Sequence, residues 1–141
     1  MINDGLKMTG AVAIALNGKV VREIPNLVVT AGKGYVASRM KDATATAMSH
    51  MAIGTNNTTA AVGQTALTAE AARGALTSTT VSNNTIAYVE TFAAGTGTGA
   101  IVEAGVFNAS SSGTMLCRTV FAVVNKGSAD AMTITWTITV S

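Results

Sequence analysis

The segment DAMTITWTITVS, residues 130 to 141, decides the fold. Met132, Ile134, Trp136, Ile138 and Val140 alternate without a break with Thr133, Thr135, Thr137 and Thr139. Successive side chains of a strand point to opposite faces, so the pattern predicts a strand with one apolar face and one hydroxyl face. The apolar face demands a core. The other face carries threonine where most soluble surfaces intersperse both signs of charge.

Moving back along the chain, the same grammar recurs. NKGSAD (125–130) joins this strand to TMLCRTVFAVV, NASSSG joins that to AIVEAGVF, and GTGTG (95–99) joins that to TIAYVETFA. Asn83-Asn84 reads as a hairpin turn between TIAYVETFA and TSTTVS. TALTAEAARGALTST is mixed: its Ala, Leu and Glu predict a short turn or helix near 66–70, and its Thr-Ser run a strand from about Arg73. MSHMAIG (48–54) alternates at Met51 and Ile53.

Near the N-terminus AVAIAL and KVVREI flank Asn17-Gly18, the favoured pair for a tight hairpin turn, and Pro25 closes the second strand. NLVVTAGKGYVASRMKD predicts an extended Leu27–Val29. A short helix follows, with Thr30 as N-cap and Tyr35, Val36 and Met40 on its apolar side. About eight strands separated by Gly, Asn and Ser turns, with one short helix, predict an all-β fold. The expected architecture is an antiparallel β-sandwich of jelly-roll type. Its 141 residues form a single domain in which residues 1–8 are a flexible N-terminal arm.

Composition narrows the function. Charged residues make up 11% of the chain and hydrophobic ones 48%, so the chain folds but shows little charge to water. Ala and Thr supply 47 of the 141 residues. Such a surface suits a domain partly covered by a partner or by copies of itself. A net charge of +2, with no basic stripe, gives no reason to expect nucleic acid. No apolar run reaches the length of a membrane span, so no membrane partner is expected. The opening MINDGLKMTGAVAIALNG superficially resembles an export signal, but Asp4 offsets Lys7 and the apolar stretch is short. The Asn-x-Ser/Thr matches at Asn56, Asn57, Asn83 and Asn108 follow from threonine richness. The lone Cys117 leaves no internal disulfide framework, fits a reducing compartment and reads as a small buried hydrophobe.

The catalytic inventory is thin, and no catalytic, cofactor-binding or metal residue is assigned. His50 is the only histidine; Ser49 beside it should point to the opposite strand face, and no third group orients the ring. The seven carboxylates show no metal-ligand spacing. Glu90 and Glu103, expected on neighbouring strands, read as solvent-face residues and only secondarily as an acid/base couple. GTGTG is followed by a strand, so it lacks the helix N-terminus that a phosphate loop needs. Phe107, Phe121 and Trp136 read as core. The expectation is a protein that is not an enzyme and needs no cofactor.

Three stretches together resemble small structural proteins of tailed bacteriophages: NLVVTAGKGYVASRM; MSHMAIGTNNTTAAVGQTALTAEAARGALTST; and EAGVFNASSSGTMLCRTVFAVVNKGSADAMTITWTITV. The likeness covers about residues 20–141 and lies in the order AIGT, Thr-Ala-Leu-x-x-Glu, EAGVFN and ITWTITV. It implies a virion part, made in the host bacterial cytoplasm. One role is a capsid cement or decoration protein, which binds the major capsid protein on the outer shell as a homodimer or homotrimer. The other is a tail or tail-fibre attachment protein. The chain closes straight after its last strand with no repetitive shaft, so the cement role is the first expectation. A carbohydrate-binding sandwich is a further alternative, for which Tyr35 and Tyr88 would be the stacking residues. The expected contact elements are the arm and hairpin, Met1 to Ile24, and the loops at 54–64 and 95–99.

Overall fold

Asn17 and Gly18 both take positive φ, 51° and 82°, and turn β1 (Met8–Leu16) back into β2 (Lys19–Pro25) as expected. The computed structural model describes residues 5–41 and 45–141. The remaining elements are β3 (Leu27–Val28), α1 (Thr30–Arg39), β4 (His50–Gly54), β5 (Glu70–Ala75), β6 (Ser78–Ser82), β7 (Thr85–Phe92), β8 (Gly99–Phe107), β9 (Met115–Lys126) and β10 (Met132–Val140).

The strands form two five-stranded antiparallel sheets, β2-β1-β10-β7-β6 (sheet A) and β3-β9-β8-β4-β5 (sheet B). The chain is an all-β sandwich with one short helix among the described residues. The jelly-roll form of that expectation is not established by this connectivity, in which the hairpins β1-β2, β4-β5, β6-β7 and β8-β9 each stay within one sheet.

The closing segment takes the central position of sheet A. Trp136 stands opposite Val12 on one side and Tyr88 on the other, and all three are buried. Met132, Ile134 and Ile138 share that inward face and meet Met51, Ile53, Ile101, Val106, Leu116, Phe121 and Val124 from sheet B. Cys117 lies in the same core, where burial pushes its thiol well above the ordinary range.

Sheet B is covered on part of its outer face as well as on the core side. Ala52, Phe107 and Met115 point outward from it and are covered by Val29 and by Leu67 of the loop between β4 and β5. This explains why β4 reads as a continuous buried run where simple alternation was expected.

Three local expectations need correction. The helix starts at Thr30, with Val29 as the N-cap and no side-chain cap bond. Tyr35 and Val36 pack against the core, but Met40 is 80% exposed. Gly32 makes the closest approach: a Cβ there would lie 2.1 Å from the Leu116 carbonyl oxygen. The turn or helix expected near 66–70 is a series of bends leading into β5. The N–H groups of Thr68 and Ala69 are donated to Glu103 instead of to helix carbonyls. Lastly, the final two residues of the expected arm, Lys7 and Met8, are joined to sheet A. Lys7 exchanges two backbone bonds with Ser141, 2.7 and 2.8 Å, and Met8 opens β1. Residues 1–4 lie outside the described residues.

Candidate functional site: the outer face of sheet A

The two outer faces of the sandwich have opposite fates, and charge decides which. Sheet B carries Glu103, Arg118 and Arg73 toward its outer side, and the chain itself covers them. Glu103 and Arg118 are both 0% exposed, with Arg118 Nη2 at 2.9 Å from Glu103 Oε1 and Nε at 3.2 Å. Glu103 also accepts the backbone N–H groups of Asn56, Thr68 and Ala69 at 3.2, 3.0 and 2.8 Å. Arg118 Nη1 donates to the Thr58 carbonyl at 2.8 Å and to Gln64 Oε1 at 3.1 Å. A buried ion pair needs its remaining donors and acceptors satisfied, and here the 54–69 segment supplies them. Next to it Arg73 donates to both oxygens of Glu70 and lies 3.8 Å over the ring of Phe107.

Three of the quoted segments, AIGT, Thr-Ala-Leu-x-x-Glu and EAGVFN, meet at this cluster, while ITWTITV is the central strand of sheet A. Gly54 of AIGT has no room for a side chain, since a Cβ would lie 2.5 Å from Glu103 Oε2 and from the Ala69 carbonyl oxygen. Leu67 of the Thr-Ala-Leu-x-x-Glu segment sits against Gly105 of EAGVFN, where a Cβ would be 3.0 Å from Leu67 Cδ2. These motifs are therefore a clamp that closes one face of the fold.

Sheet A is left open. Register places Thr9, Ala11, Ala13 and Ala15 of β1 beside Thr139, Thr137, Thr135 and Thr133 of β10. On the other side β10 meets Thr85, Ala87, Val89 and Thr91 of β7, and Ser82, Thr80 and Ser78 of β6 continue the face. The threonines of β10 are half-buried by their neighbours, and Thr91 and Thr133 join their hydroxyls at 2.9 Å. β1, β6 and β10 contain no charged residue, and the one in β7, Glu90, points inward. Glu23 of β2, opposite Ala13, puts a charge at the border. A shallow depression of about 260 Å³ lies on this face between Ala11, Ala13, Glu23, Thr135 and Thr137.

Glu90 and Glu103 stand on different sheets, β7 in sheet A and β8 in sheet B, and both are buried. The solvent-face reading of both is overturned, because each carboxylate collects donors inside the fold. Glu90 accepts Thr77 Oγ1 at 3.0 Å and the Thr91 N–H at 2.9 Å, and it fills the space above Gly74. Ser49 and His50 do touch, Oγ to Nδ1 at 2.8 Å, because Ser49 precedes β4 and is not held to strand alternation. Among the described residues no group of three His, Cys, Asp or Glu side chains comes together as a metal site.

The expected contact elements separate. The Asn17-Gly18 turn is tied to the β9–β10 turn: Asn17 Nδ2 donates to Asp130 Oδ1 at 2.8 Å, and Ala131 N–H donates to Asn17 Oδ1 at 3.0 Å. The buried Lys126 donates to the carbonyls of Ala93 and Asp130, which brings the start of the β7–β8 connection to the same end. The 54–64 loop is fastened across sheet B by Arg118, so it is a cover and not a projecting arm. Tyr88 is 5% exposed and Tyr35 half-buried, so neither presents the open ring that sugar stacking uses. The buried Arg118, Lys126 and Glu103 were not distinguishable from surface charges in the sequence. The Ala/Thr face, in contrast, was written in the alternation of residues 132–140.

Compared with protein-family models, curated proteins and solved structures, the chain matches none.

Proposed function

We propose that this chain is a non-enzymatic structural protein of a bacteriophage virion, a cement or decoration protein that docks on the outer capsid surface through the outer face of sheet A. The observation that supports this reading is the contrast between the two sheets. Glu103, Arg118 and Arg73 on the outer side of sheet B are all held by the chain itself, while the outer face of sheet A presents Ala, Thr, Ser and Val with a single bordering Glu23. An uncharged face can be covered by another protein without stranding an unpaired charge, which costs several kcal/mol when it happens. Strand spacing and rise give the face dimensions of roughly 20 by 27 Å. That is enough for a modest contact, which a repeating lattice would strengthen through avidity. The phage resemblance of residues 20–141 supplies the partner, the major capsid protein.

Quantitative mass spectrometry of purified virions tests the reading. Abundance comparable to the major capsid protein is the expected result. A few copies per particle would transfer the protein to the tail or its fibres, and absence from the particle would end the virion reading altogether.

A further inference from the structure

We propose that β6 is a self-association edge: it pairs antiparallel with β6 of a second copy of this chain, joining two A sheets into one. The sandwich has four sheet edges, β2 and β6 in sheet A and β3 and β5 in sheet B. A strand edge offers unpaired N–H and C=O groups to any other strand, and stable monomers blunt it with charge, proline, brevity or a cover. β2 has Lys19, Arg22, Glu23 and Pro25, and Arg22 folds over the side of the sandwich to the carbonyls of Ala122 and Val123 at 3.0 and 2.7 Å. β3 is two residues long. β5 carries Glu70 and Arg73.

β6 has none of these devices. Its five residues, Ser78-Thr79-Thr80-Val81-Ser82, contain no charge and no proline, and all five are exposed, Val81 at 69%. It pairs with β7 from Ser78↔Val89 to Ser82↔Thr85 with no bulge to twist it away.

The occupant follows from the sequence of the strand. An antiparallel pairing about a two-fold axis at Thr80 sets Ser78 against Ser82, Thr79 against Val81 and Thr80 against Thr80. These are hydroxyl and β-branched pairs, favourable across strands, with no like charges opposed. A strand edge bearing Lys or Glu would lose hydration on this neutral edge and gain no counter-charge, so the strand's own copy fits better. Five residues span about 17 Å, short of what a permanent dimer buries. The association is accordingly weak and concentration-dependent, and it would run the Ala/Thr faces of both copies into one surface. It does not depend on the capsid reading.

Two variants test it. Thr80→Cys places thiols opposite each other at the axis, within the reach of a disulfide. Mild oxidation at high micromolar concentration should give a linked dimer. Val20→Cys, on the exposed part of edge strand β2 (54% exposed), should give little. Thr80→Lys opposes two like charges and should weaken dimerisation in sedimentation equilibrium by about tenfold, with the thermal midpoint unchanged. Equal cross-linking of the two cysteine variants would overturn the proposal. So would a wild-type chain that stays monomeric at these concentrations, or a dimer indifferent to Thr80→Lys. Failure to find the protein in virions would leave these outcomes untouched.

Discussion

Arg118 Nη2 and Glu103 Oε1 meet at 2.9 Å with both side chains wholly out of solvent, and between them they bind six groups of the 54–69 segment. The pair is an anchor: it gives a long loop fixed partners and so closes sheet B. Removing one member strands the other charge, and Glu103→Gln is expected to destabilise the fold by about 3–5 kcal/mol. The double variant Glu103→Gln/Arg118→Met should be less damaging than the sum of the single changes, since neither charge is then left alone. Urea denaturation of all four proteins reads the coupling. Additive losses would mean the pair is not acting as a unit.

The two glycines of α1 should respond oppositely to alanine. At Gly32 a Cβ meets the Leu116 backbone carbonyl at 2.1 Å, which only a shift of helix or strand can relieve. Gly32→Ala is expected to cost about 2 kcal/mol or more. At Gly34 a Cβ meets nothing within 4 Å, and Gly34→Ala should stabilise by up to about 1 kcal/mol through helix propensity. Thermal melts of the two variants give the signs directly.

Asp130 supplies a pH dependence. The Asn17 side chain, then the Gly127 N–H, then the nearby Lys126 charge hold its carboxyl below the usual aspartate range. A lowered pKa in the folded state means that the unfolded chain takes up the proton first as acid is added. The contribution is therefore complete above the ordinary aspartate value of about 3.9 and is lost as pH falls through the lowered folded value. Asp130→Asn should be less stable than wild type at neutral pH, and the gap should close over the acid range as pH falls below the ordinary aspartate value. A gap constant across that range would refute the assignment.

Cys117 should be chemically silent while the protein is folded. It is 0% exposed, and burial raises its thiol so that almost no thiolate forms near neutral pH. Labelling with an aromatic disulfide reagent is expected to follow global unfolding, rising steeply across the denaturant transition. Rapid labelling in native buffer would show that the β3–β9 side of the core opens locally.

Thr135 sits in the middle of the open face, between Ala13 and Val89. Thr135→Lys should leave stability within about 0.5 kcal/mol, as surface changes usually do. Co-sedimentation with capsids, on the proposed function, should be abolished by it. Unchanged co-sedimentation would remove this face from the interface and return attention to the loops at the Asn17 end.

The strands were legible because their signal is local. Alternation at 132–140, Asn17-Gly18 and Asn83-Asn84 each specify a conformation through neighbours in sequence, and each has the expected structure. The helix was legible in place and partly in contact: Tyr35 and Val36 pack as spacing suggested, Met40 does not, and the closest approach is at Gly32, whose value is the absence of a side chain. The 66–70 segment misled because its helix propensity competes with a carboxylate 34 and 35 residues away for the same N–H groups.

By itself, the sequence determined that this chain makes antiparallel strands, most clearly the closing one with its single apolar face, and that one of its surfaces is threonine and alanine. Those properties depend on the order of side chains along an extended backbone. Only the tertiary structure decided which charges would disappear. Glu90, Glu103, Arg118 and Lys126 look in sequence like any solvated residue, and they are buried because distant segments bring them hydrogen-bond partners. It also decided that the outer face of sheet B would be partly covered and that of sheet A left open, since the 54–69 segment is held on sheet B by the Glu103–Arg118 pair and by Leu67.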